Sequence, residues 1–140
     1  MTEPAFRLEG RTVLVAGASS GLGAGFARLL VTAGANVVLG ARRQERVAAL
    51  AAQLGESGGK SGGGSGGESG GEALGVALDV SDGESVAAAF DAAESRFGPV
   101  DTLIANAGTA AGGRSTEVAE ADIRRVLDTN LLGAYLVARE

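Results

Sequence analysis

The sequence contains no cysteine and no histidine, and only one tyrosine and one lysine, and each shortage removes a class of chemistry. Without cysteine there are no disulfides and no thiolate nucleophile. With histidine gone as well, most zinc sites and any serine–histidine triad are excluded. No stretch approaches the roughly 18 consecutive apolar residues of a membrane-spanning helix. The N-terminus MTEPAFRLEGRT lacks the basic region followed by an apolar one that marks a secretory leader. A cytoplasmic protein with no membrane contact is therefore expected. The formal charge of −5 has the wrong sign for neutralising phosphates along a nucleic acid, so small molecules or proteins are the expected partners.

What is present is enough for a core. Across 140 residues, 45% are apolar, which supports one globular domain over a disordered chain. Four segments are rich in β-formers, Thr12–Val15, Asn36–Leu39, Leu74–Leu78 and Val100–Ala105, and a helical pattern follows each. The first helix is expected from about Gly21 to Ala33, burying Phe26, Leu29, Leu30 and Ala33. The second stacks Val47, Leu50, Ala51 and Leu54. The third aligns Val86, Phe90, Ala93 and Phe97, and the fourth Ile123, Val126, Leu127, Asn130 and Ala134. Strand and helix alternating in this way predict an α/β fold with a parallel sheet in the order 3-2-1-4. A doubly wound dinucleotide fold has six strands. Residues 1–140 therefore read as the N-terminal part of a single, incomplete domain of about four strands.

Residues 56–71 are four tetrapeptides, ESGG, KSGG, GSGG and ESGG. Such a tract buries too little apolar surface to offset its ordering entropy, so residues 55–72 are expected to form a disordered loop insertion. A phosphate cradle there would need a strand feeding it and a helix N-terminus directly after it, and neither is present.

The stretch VLVAGASSGLGAGFARLL places Gly17, Gly21 and Gly23 in the turn from the first strand into the first helix. Glycine permits the tight turn and lets backbone N–H groups approach a diphosphate, to which the helix N-terminus adds partial positive charge. The spacing G-x-x-x-G-x-G differs from G-x-G-x-x-G, because Phe26 stands where the third glycine of a match begun at Gly21 would fall. AGASSGLG instead resembles the T-G-x-x-x-G-x-G signature of the short-chain dehydrogenase/reductase family, with Ala16 in place of threonine. Leu78-Asp79-Val80 resembles that family's adenine-contacting segment, Asn106-Ala107-Gly108 its N-A-G motif beside the cofactor, and Asn130 the asparagine of its catalytic tetrad. Read from the residues alone, Asp79 could also be a helix cap, Asn106-Ala107-Gly108 a turn and Asn130 a buried structural asparagine.

The resemblance implies a Rossmann-type domain that holds a nicotinamide dinucleotide. The backbone from Ser19 and Ser20 through Gly21 to Leu22 would hold the diphosphate, Asp79 and Val80 the adenine, and Asn106, Ala107 and Gly108 the nicotinamide side. It implies an oxidoreductase that moves hydride between the cofactor and a small carbonyl or alcohol substrate, and subunits that pair through the fourth and fifth helices. An acidic residue at the end of the second strand would favour NAD. Here Ala41 occupies that place, and Arg42 and Arg43 follow. The guanidinium fork suits a 2′-phosphate, so NADP is expected over NAD, with Arg42 the nearer ligand.

In the family a serine, a tyrosine and a lysine follow the tetrad asparagine by several tens of residues, whereas this sequence runs ten residues past Asn130. Tyr135 with Arg139 imitates Y-x-x-x-K, but it lies only five residues after Asn130, and arginine cannot share a proton as lysine can. The sole lysine, Lys60, falls in the Gly/Ser tract. The expectation is the cofactor-binding part of a truncated or incompletely recorded enzyme, inactive by itself. A non-catalytic dinucleotide-binding module and a non-functional remnant are the alternatives.

Overall fold

The computed structural model describes residues 7–58 and 70–140. Four strands, β1 (Thr12–Ala16), β2 (Asn36–Ala41), β3 (Ala73–Ala77) and β4 (Thr102–Ala105), form one parallel sheet in the order β3-β2-β1-β4. Between them run the helices α1 (Gly21–Thr32), α2 (Gln44–Gly58) and α3 (Gly83–Phe97). After β4 come α4 (Glu120–Leu127), a π-helical stretch (Asp128–Gly133) and α5 (Ala134–Arg139). This is the Rossmann-type arrangement expected, with strand boundaries one or two residues from those anticipated.

Alternate strand residues serve two cores, as the period of two requires. Val13, Val15, Val37 and Leu39 face α1 and α2, where Ala24, Ala27, Val31, Val47, Leu50, Ala51 and Leu54 close over them. Leu14, Ala16, Val38 and Val76 face the other way, against Val86, Ala89 and Ala93 of α3 and Val137 of α5. Parallel strands covered on both sides read as continuous apolar runs, which is why TVLVA and NVVLGA show no alternation. At the opposite end of the sheet from these strands' C-termini, Asp101 ties β1 to β4. Its carboxylate accepts from the Thr12 N–H at 3.2 Å and the Thr102 hydroxyl at 2.7 Å, and the Thr102 bond leads in holding it below the usual carboxylate range.

Three expectations need correction. On α1 the buried face is Gly23, Ala24, Ala27 and Val31, with Ala33 beyond it. Phe26 and Leu29, expected inside, are 36% and 70% exposed. Small residues let this helix lie close to the sheet, and that closeness matters more than the size of its apolar side chains. Of the tract expected as a loop over 55–72, residues 55–58 belong to α2, which carries through Gly58. On the tract's far side Gly71 N–H donates to the Val31 carbonyl, and Glu72 binds both Asn36 and Arg96. Residues 59–69, with Lys60, lie outside the described residues. The stripe expected on the fourth helix stays largely uncovered, with Ile123 46% and Leu127 51% exposed, while Val137 of α5 enters the core.

Candidate functional site

The C-terminal ends of the strands open into a cleft of about 720 Å³ at the point where the chain order reverses between β1 and β4, the crevice in which open α/β sheets bind ligands. Its walls are Gly17, Ser19 and Ser20 after β1, Ala41, Arg42 and Arg43 after β2, Leu78, Asp79 and Val80 after β3, and Asn106, Ala107, Gly108 and Thr109 after β4, with Thr129 from the π-helical stretch.

The glycine turn is built by close packing. Gly17 has φ +80°, and a Cβ there would stand 2.7 Å from the Ala107 Cα. A Cβ on Gly23 would overlap the Gly17 carbonyl oxygen and come within 2.8 Å of Asn106 Nδ2. That same Nδ2 donates to the Gly17 carbonyl at 3.1 Å, so Asn106 bolts the turn to the end of β4. Gly21 opens the helix at φ +56°, with open space around it. Of this turn, Gly17, Ser19 and Ser20 border the cleft directly, and Gly21, Leu22 and Gly23 follow them as the first residues of α1. Leu22 is 72% exposed, and the two glycines shape the turn.

The start of α1 suits an anion. Ser20 is the N-cap in extended backbone, yet its side chain makes no capping bond, and the first turn carries no acidic residue. Helix geometry leaves the first-turn N–H groups without partners inside the helix, and the dipole places partial positive charge there. A diphosphate supplies both the missing acceptors and the charge. Beside this end stand Arg42 and Arg43, and among the described residues neither enters an ion pair. The residues present thus fit a phosphorylated dinucleotide.

Asp79 is not a cap of α3, since Asp82 takes that role by accepting from the Glu84 N–H at 3.0 Å. Asp79 instead accepts from the Ser81 hydroxyl at 2.7 Å and the Ser81 N–H at 3.0 Å, while its own N–H donates to Ser85 Oγ. The Ser81 hydroxyl leads in holding its carboxyl below the usual range, against a partial desolvation, and the Arg42 charge adds to it. A depressed carboxylate contributes stability that is complete above the unfolded value, about 3.9, and lost as pH falls through the lower folded one. The stability difference between the wild type and Asp79→Asn is therefore expected to be flat from neutral pH to about pH 5 and to shrink below about pH 4. Urea midpoints across that range measure it. A difference unchanged down to pH 3 would show that the Ser81 bonds do not discriminate between the ionised and protonated carboxyl.

Asn130 lies in the π-helical stretch, a form that recurs at functional sites. Its side chain is exposed but engaged at both ends: Oδ1 accepts from the Thr109 N–H at 2.8 Å and Nδ2 donates to the Thr109 carbonyl at 2.9 Å. Three residues on, Gly133 presses against Val80, where a Cβ would stand 3.0 Å from the Val80 Cβ. The helix after β4 is thus pinned to two walls of the cleft. Tyr135 is 63% exposed and does not line it. Sequence reasoning passed over Thr109 and Thr129, although each adjoins a recognised motif, Thr109 after Gly108 and Thr129 before Asn130.

A parallel sheet in the order 3-2-1-4, with a glycine-built turn and an uncapped helix at its switch point, defines a Rossmann-type domain. The chain belongs to the short-chain dehydrogenase family, whose sequence profile matches residues 11–140. It is 38% identical over 134 residues to D-threitol dehydrogenase of Mycolicibacterium smegmatis, covering 96% of this chain and 47% of that protein. Its fold resembles the alcohol dehydrogenase of the archaeon Thermococcus sibiricus solved with 5-hydroxy-NADP, with TM-score 0.79 and 32% identity over 92% of this chain and 50% of that one. It also resembles the 3-ketoacyl-(acyl-carrier-protein) reductase of Brucella melitensis solved with NADH, with TM-score 0.79 and 34% identity over 94% of this chain and 48% of that one. The chain spans about half the length of these relatives.

Proposed function

We propose that the chain is the cofactor-holding part of an oxidoreductase that moves hydride between NADP(H) and a small carbonyl or alcohol. The observation that carries this reading is the N-terminus of α1, without a side-chain cap and opening onto the switch-point cleft, with two arginines beside it that enter no ion pair among the described residues. The backbone amides at Ser19 to Leu22 hold the diphosphate, Arg42 the 2′-phosphate, Asp79 and Val80 the adenine, and Asn106 to Gly108 the nicotinamide side. The bound dinucleotide supplies or accepts the hydride. Asn106 keeps the glycine turn at its height, and Asn130 holds the loop that borders the nicotinamide. In that reading the protein is cytoplasmic and homo-oligomeric, the latter supported by the exposed ridge of Ile123, Leu127, Leu131 and Tyr135.

A second reading is a dinucleotide-binding module without turnover. Titration calorimetry of the 140-residue chain with NADPH tests what the two readings share, and saturable heat is expected. No heat with NADPH or NADH from folded protein would overturn both. Oxidation of NADPH with a panel of aldehydes and ketones by the intact protein, followed at saturating cofactor, separates them.

A further inference from the structure

We propose that Arg125 is a positioning residue for the nicotinamide-bearing half of the dinucleotide, acting through Thr109; the inference rests on the dinucleotide reading of the cleft. The strand order places Thr109, after β4, on the far side of the glycine turn from Arg42, after β2. A dinucleotide with its diphosphate at the start of α1 and its 2′-phosphate at Arg42 must lay its other half along Thr109.

The helix that follows takes every polar group of Thr109. Asn130 binds its N–H and its carbonyl, and the Thr109 hydroxyl accepts from Arg125 Nη1 at 3.0 Å. The guanidinium is held in turn by Asp122 Oδ1, 2.9 Å from Nη2. Arg124, its neighbour, pairs within its own helix, with Glu120 at 2.7 Å, the ordinary use of a surface arginine. Arg125 differs in reaching across sixteen residues of sequence to the loop.

The two arms of the clamp do different things. The asparagine fixes the backbone of the loop but leaves the Thr109 side chain free to choose among staggered rotamers. The arginine removes that choice, since directing the hydroxyl at α4 sets the methyl by tetrahedral geometry. The wall met by the ligand then has one shape. A ligand that had to select that shape itself would bind more weakly by the fraction of time the wall adopts it.

The test uses the 140-residue chain and two probes, NADPH and adenosine 2′,5′-bisphosphate, which keeps the 2′-phosphate end and lacks the nicotinamide half. Arg125→Ala is expected to weaken NADPH ~3–10-fold, the scale of one hydrogen bond, and to leave the bisphosphate unchanged. Thr109→Val, which keeps the shape and loses the hydroxyl, should show the same pattern. The double variant should be no weaker than either single, because both remove one interaction. NADPH affinity unchanged in Arg125→Ala, equal losses for both probes, or additive losses in the double variant would overturn the inference while leaving the dinucleotide reading intact. Wild-type protein that binds neither probe would overturn both together.

Discussion

Gly23→Ala is expected to be the most damaging single-methyl substitution in the α1 region, lowering stability by roughly 3 kcal/mol or more. A Cβ at this position would overlap the Gly17 carbonyl oxygen and crowd Asn106 Nδ2 at 2.8 Å, so the added methyl pushes on backbone that cannot swing aside. Overpacking alone costs about 1–3 kcal/mol in a well-packed core. Here it also breaks the bond from Asn106 to Gly17 that joins the turn to β4. Gly17→Ala should be comparably severe, for two reasons acting together: φ is +80°, and its Cβ would lie 2.7 Å from the Ala107 Cα. Against a typical total stability of about 5–15 kcal/mol, either change brings the domain near its unfolding threshold.

The control lies on the same helix. Gly25 has nothing within 4 Å of a would-be Cβ and an ordinary helical backbone, so Gly25→Ala is expected to stabilise by about 0.5–1 kcal/mol. Gly21 sits between the two, with open space but φ +56°, and Gly21→Ala should cost about 1–2 kcal/mol. Urea denaturation of the four variants gives the ranking. If Gly23→Ala unfolds within about 0.5 kcal/mol of the wild type, the glycine–glycine–asparagine stack does not hold the turn.

Arg42→Ala is expected to weaken NADPH by about 10–100-fold while changing NADH by less than about threefold, because only NADPH offers a 2′-phosphate to the guanidinium fork. That range follows from hydrogen bonds to charged groups, worth about 1.5–3 kcal/mol each, at 1.4 kcal/mol per tenfold. Arg42 lines the cleft and acts on Asp79 electrostatically, and among the described residues no carboxylate is in ion-pair contact with it to compete with a ligand phosphate. Arg43 also borders the cleft but lies one residue further from the end of β2, and Arg43→Ala should cost less. Dissociation constants for both dinucleotides at fixed ionic strength decide the matter. Equal weakening of NADPH and NADH would mean that Arg42 contributes general charge and does not read the 2′-phosphate, and the NADP preference would fall with it.

Much of the cleft was legible before any coordinates because its walls are turns directly after strands, where glycine, asparagine and aspartate have local reasons to occur. Gly17, Asp79 and Asn106 each follow an apolar run, and each lies where its strand ends. The misjudged residues are those whose role depends on distance to another element. Phe26 and Leu29 carry large apolar side chains on α1, and periodicity favoured them for its buried face. The helix instead turns its small side toward the sheet, because Gly23 must rest on Gly17. Asn130 stood out as a polar residue among apolar ones, yet nothing in its neighbourhood names Thr109, twenty-one residues earlier, as its partner.

By itself the sequence determined the alternation of strand and helix, and with it the parallel sheet, its order and the place of the glycine turn. These follow from side-chain period, chain connectivity and the conformational freedom of glycine, all of which are local properties. Only the tertiary structure decided which face of α1 is buried, that Asn106 and Gly23 close on the same carbonyl, and that Arg125 and Asn130 converge on Thr109 from one helix. Those facts depend on distances between segments far apart in the chain, set by how closely the elements can approach when packed.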